Sequence, residues 1–93
     1  MRTLDDLKTQ LRQNPEFVRE YAALEPESQV ARDVLALRLQ RGLSQAELAA
    51  KAGTKQASVS RVERAETVPS LTLLKKLATA LGARVEIHLV PKD

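Results

Sequence analysis

Lys55, Gln56, Ala57, Ser60 and Arg61 lie within two helical turns of one another, and their side chains are of the kinds that meet base-pair edges. A glutamine pairs bidentately with adenine, an arginine with guanine, and an alanine methyl packs on the thymine methyl. Val59 and Val62 interrupt the set at helical spacing, so the segment has one apolar side and one polar side that carries almost no large apolar group. Catalysis is not on offer. The chain has one His and no Cys, which leaves no thiolate nucleophile, no disulfide framework and no multi-ligand metal site. Asp5 and Asp6 are adjacent and point to different sides of a helix, so they form no carboxylate dyad. His88 sits in an alternating segment where it reads as a solvent-facing neighbour. No enzyme activity, cofactor or metal is expected.

The elements that must hold the polar face are legible on either side of it. Ser44 with Glu47 three residues on forms a capping box, and Leu48, Ala49 and Ala52 supply the inner face of the short helix it opens. Gly53 permits the tight turn, Thr54 is placed to cap the next helix, and the recognition segment is expected over residues 54–64. Upstream, Val30, Val34 and Leu37 share a helical face flanked by Ala31, Leu35 and Leu39, running to a stop at Gly42. Downstream, Pro69-Ser70 caps a helix with Leu71, Leu74, Leu77, Ala78 and Leu81 inside and Gly82 as its stop. An ordinary helical hairpin would also place polar residues outside. Here cap, small crossing residue, turn glycine and polar face fall in register, which favours a helix-turn-helix.

Two flanking pieces complete the chain. Leu4, Leu7 and Leu11 give a short amphipathic helix over residues 3–13. Asn14-Pro15 starts a second with Phe17, Val18, Tyr21 and Leu24 on one face, and Pro26 breaks the chain again. After Gly82 the period changes to two: Val85, Ile87 and Leu89 alternate with Arg84, Glu86 and His88, the pattern of one strand with no partner in its own chain. Such a strand pairs with its copy in a second subunit or with another protein. The formal charge is +3, unevenly spread: residues 1–31 carry four Lys/Arg and six Asp/Glu, residues 32–64 seven and three. The middle suits a polyanion and the front does not, while charge by itself favours the plainer reading of a solvated surface. Phe17 and Tyr21, the only aromatics, lie one turn apart in the acidic front, where they either dock on the bundle of their own subunit or anchor a partner protein.

The stretch LSQAELAAKAGTKQASVSRVE, residues 43–63, resembles the helix-turn-helix of phage-repressor-type regulators, the XRE family, and residues 34–81 resemble their five-helix DNA-binding domain. The resemblance implies that Gln45 binds a phosphate, that Gln56 reads a base and that Lys55, Ala57, Ser58, Ser60 and Arg61 line the groove. Within that reading Lys55, Gln56, Ala57, Ser60 and Arg61 are assigned to bases, and Ser44, Gln45, Ser58 and Arg64 to phosphates. Arg64-Ala65-Glu66 departs from the pattern, since many relatives have a glycine after the recognition helix. The ending LKKLATALGARVEIHLVP is similar to that of antitoxins whose strand completes a sheet across a dimer axis. The beginning NPEFVREYAALEPESQVAR is similar to antitoxins of the HigA type, whose toxins are RelE-like ribonucleases.

The expected architecture is all-α: a five-helix repressor-like bundle at 32–82, a helical extension at 1–31 as the candidate toxin-binding segment, and a dimerisation strand and tail at 83–93. A homodimer paired through Val85, Ile87 and Leu89 would place two recognition helices roughly 34 Å apart, on a double-stranded operator that is an inverted repeat. The resemblance adds neutralisation of a RelE-like toxin, with Leu7, Leu11, Phe17 and Tyr21 as contact candidates. The other reading is a stand-alone repressor whose front helices only pack. No apolar run approaches a membrane span and no signal peptide is legible, so a cytoplasmic protein acting at its operator is expected.

Overall fold

Proline opens the first two helices among the described residues. The computed structural model describes residues 15–92, apart from the side chain of Phe17, so the helix expected over 3–13, the Asn14 cap and the candidates Leu7 and Leu11 lie outside the described residues. Helix α1 (Pro15–Ala22) and helix α2 (Pro26–Gln40) each start at a residue that has no N–H to leave unpaired and whose φ is already helical. Three more follow: α3 (Gln45–Ala52), α4 (Gln56–Glu63) and α5 (Leu71–Ala80). Of the five helices among the described residues, α1 belongs to the front extension, so α2 to α5 build the bundle.

The caps read from the sequence hold α3 and α5. The Ser44 side chain accepts from the Glu47 N–H at 3.0 Å while the Ser44 N–H donates to the Glu47 carboxylate at 3.0 Å. The Ser44 backbone and then its hydroxyl hold the Glu47 carboxyl below its ordinary pKa. Because the folded value is the depressed one, this contribution to the helix start is present at neutral pH and disappears as pH falls through it. Ser70 accepts from the Leu73 N–H at 3.1 Å and starts α5 in the same way.

The core is one cluster: Val34 and Leu37 of α2, Leu48, Ala49 and Ala52 of α3, Val59 and Val62 of α4, and Leu77 with Leu81 at the end of α5. Helix α3 lies against both α4 and α5, and α2 packs on α4. Ala49 is 3% exposed; a larger side chain there would push the two motif helices apart. Gly53, at φ 68°, ends α3 in the left-handed conformation, and the Thr54 N–H turns back to the Ala49 carbonyl at 2.9 Å.

That turn corrects the expected start of the recognition helix. Thr54 is consumed in closing α3, and Lys55, extended at φ −89° and ψ 147°, takes the N-cap position with no side-chain cap bond. The helix therefore spans 56–63 instead of 54–64. A lysine has no acceptor to offer the first-turn amides. Past α4, Ala65 takes a positive φ of 56° at the place where a glycine was missed in the sequence. A β-carbon there is strained, so Ala65→Gly is expected to raise stability by about 0.5–1 kcal/mol, read from the urea midpoint at unchanged slope. A lower midpoint would mean that the loop is not strained at this residue.

The expected C-terminal strand is not formed by the chain alone: no strand occurs among the described residues. Residues 83–92 leave the bundle as a tail in which Ile87 is 58% and Leu89 95% exposed, while Val85 is half-buried. A single extended segment has no neighbour to take up its amides and carbonyls, so it has no ladder. The Arg41 guanidinium fixes where the tail begins, donating to the Leu81 carbonyl at 3.0 Å beside Gly82.

Candidate nucleic-acid interface

Helix α4 turns Val59 and Val62 into the core, which fixes what its other side presents. Ala57, Arg61 and Arg64 fall at i, i+4 and i+7 on the outward line; all three are exposed, and Ser60 stands beside them half-buried. Gln56, the first helical residue, and Lys55 before it are exposed at the N-terminal end. Ser58 is half-buried on the flank. No large apolar side chain interrupts this surface. It offers one amide, two guanidinium groups, an ammonium, hydroxyls and a methyl. Arg64 bends back to Glu66 at 3.0 Å, an exposed pair that leaves its remaining donors to solvent.

The side chains that hold this face in place were not legible as a group. Arg38 of α2 and Glu63, the last residue of α4, form a bidentate pair: Nε donates to Oε2 at 2.7 Å and Nη2 to Oε1 at 2.9 Å. The remaining Nη1 donates to the Leu43 carbonyl at 2.8 Å, just before α3. Gln45, at the start of α3, donates from Nε2 to the same Glu63 Oε1 at 3.1 Å. One carboxylate thus joins α2, α3 and α4, with the two charged side chains only 12% and 6% exposed. The Glu63 hydrogen bonds raise the Arg38 pKa above its ordinary value, so the guanidinium is charged at every accessible pH.

Gln45 is consequently half-buried and tethered, with its amide nitrogen directed into the protein. Its backbone stands next to Ser44, exposed at the capping box, so two of the four phosphate candidates sit together at the N-terminus of α3, while Ser58 and Arg64 belong to α4 and its C-cap. That end carries the positive pole of the helix. The bases and phosphates assigned from the sequence therefore fall on two adjoining elements, the outer line of α4 and the start of α3.

Tyr21, offered as a partner contact, is engaged within the chain. Its hydroxyl donates to the Asp33 carboxylate at 2.7 Å, and the Gln29 amide donates to the Tyr21 and Leu24 carbonyls at 3.2 and 3.1 Å. Burial, with Asp33 accepting the proton, raises the phenol pKa above its ordinary value. Of the two readings of this aromatic, docking on its own subunit is the one its contacts show.

Residues 34–87 match the helix-turn-helix family HTH_3, more than half of the chain and all of α3 to α5. The chain belongs to the HTH_3 family. The HTH_3 fold recurs in the crystal structure of an HTH_3 family transcriptional regulator from Vibrio cholerae, 37% identical with a TM-score of 0.59. That match covers 61% of this chain and 32% of the regulator, so the chain spans about a third of that protein's length. No curated protein matches the sequence. Helix α1 and the first turns of α2 lie outside the family match. No helix among the described residues is long and apolar enough to cross a membrane.

Proposed function

We propose that this HTH_3 protein binds double-stranded DNA sequence-specifically and regulates transcription by occupying a promoter. The observation that carries the reading is the outer face of α4, polar and cationic but for the Ala57 methyl, set on a scaffold locked by Arg38, Glu63 and Gln45. Lys55, Gln56, Ala57, Ser60 and Arg61 would read bases, and Ser44, Gln45, Ser58 and Arg64 would hold phosphates. Gln56 is free to reach a base edge; Gln45 would serve through its backbone N–H, its side chain being spent on Glu63. The exposed Ile87 and Leu89 support a homodimer in which two tails pair as antiparallel strands, giving an inverted-repeat operator.

The test is a selection of preferred operator from random duplexes, followed by titration of variants. Gln56→Ala is expected to weaken binding to the selected operator by about 1–3 kcal/mol and to random DNA by less. Gln45→Ala keeps that N–H but removes the Glu63 tether that places it, and is expected to weaken both alike, since a phosphate contact carries no sequence. Equal losses for Gln56→Ala on both DNAs would take it out of base reading. A changed preference in Gln45→Ala would do the same to the phosphate assignment.

A finer reading makes the protein an antitoxin that also binds a RelE-like toxin. It is supported by the resemblance of the two chain ends and by α1, where Glu16, Val18 and Glu20 are exposed on an acidic segment. An acidic, partly apolar helix is the complement of a basic RNA-cleaving enzyme. Co-purification of a small basic ribonuclease with the full chain, lost when residues 1–27 are removed, would support it. A truncated chain that retains the enzyme would place the contact elsewhere.

A further inference from the structure

A second basic surface lies away from the recognition helix. Lys51 in the last turn of α3 and Lys75, Lys76 and Thr79 of α5 line an open groove of about 530 Å³, floored by Ala52 and Ala80. Among the described residues no carboxylate lines it and no residue of α4 borders it. Helix α3 packs against both α4 and α5, and its last turn borders the groove. Among the described residues Lys75 and Lys76 form no ion pair, and Lys51 has Glu47, one turn earlier on its own helix, as an electrostatic neighbour. The lysines are exposed, and exposed charges hold a small anion weakly because solvent and salt screen each contact. Several such pairs along a shallow groove with an apolar floor suit a polypeptide segment that presents repeated carboxylates.

We propose that this groove docks the acidic α1 segment of a second copy of the chain. Residues 15–27 carry Glu16, Glu20, Glu25 and Glu27 against a single base, Arg19. Glu16 and Glu20 are four residues apart on an eight-residue helix, so they share a face, and both are exposed. Within one chain α1 is tied to α2 by the Tyr21–Asp33 and Gln29 hydrogen bonds, which leave that acidic face outward. Groove and α1 are different patches, so the contact is distinct from a tail-to-tail pair and adds copies to the dimer proposed above. Its consequence is electrostatic assembly of neighbouring dimers on DNA.

Sedimentation velocity of the full chain over a salt series tests it. A salt-sensitive association is expected that weakens about tenfold in K75E/K76E, and equally in E16K/E20K, with circular dichroism unchanged. Mixing the two variants is expected to restore it, because each then offers the charge that the other has lost. Wild-type sedimentation in both variants would overturn the proposal, as would failure of the mixture to recover. Loss of DNA affinity in K75E/K76E with sedimentation unaltered would overturn it too, making the groove a phosphate contact. The tail-paired dimer is read separately through Ile87→Asp, so either contact can fail without the other.

Discussion

Replacing Glu63 by alanine is expected to destabilise the protein by about 3–5 kcal/mol, measured by urea denaturation with the slope unchanged. The truncation leaves the Arg38 guanidinium buried without its bidentate acceptor and strips Gln45 of the oxygen its amide donates to. A small domain has only about 5–15 kcal/mol of net stability, so the loss takes a large share of it. The penalty arises from an orphaned charge, and this gives the control. Arg38→Met combined with Glu63→Leu removes both charges and is expected to recover most of the stability. Operator affinity in that double variant should remain low, since Gln45 no longer has an acceptor to position the start of α3. A cost below about 1 kcal/mol for Glu63→Ala would show that the pair behaves as a surface salt bridge.

In the proposed tail-paired dimer, replacing Ile87 by aspartate is expected to yield monomers and to lower operator affinity by about 10²–10⁴-fold. Ile87 is 58% exposed, so the change removes little packing from its own subunit and the melting temperature of the bundle should hold. Two aspartates facing each other across a strand pair would be buried like charges, which the ladder does not tolerate. The loss on DNA follows because a dimer binds its second half-site intramolecularly, at an effective concentration that a free monomer does not have. Affinity for an isolated half-site should be unchanged. A dimeric sedimentation coefficient in Ile87→Asp would refute pairing through the tail.

Much of the bundle was legible because its signals are local. The Ser44 and Glu47 reciprocal cap, the Ser70 cap and the turn at Gly53 each depend on residues a few positions apart, and each is present as read. The inward set of Leu48, Ala49, Ala52, Val59, Val62, Leu77 and Leu81 followed from helical periodicity in the same way. Thr54 misled because a threonine before a helix is a good cap, while the stop of α3 has a prior claim on its backbone. Alternation over residues 84–89 records where side chains can point and says nothing about who supplies the other edge.

The candidate interface divides along the same line. Which residues of α4 face outward was determined by the sequence, because Val59 and Val62 leave a helix no other orientation against a core. What Gln45 does with its amide was decided only in three dimensions, by a carboxylate eighteen residues away. The Arg38–Glu63 pair spans twenty-five positions, and the lysine groove joins the end of α3 to the middle of α5. Contacts of that range leave no periodic trace in a chain. Periodicity and capping act within a turn or two and are written locally, whereas the partners of long charged side chains are selected by how the helices pack.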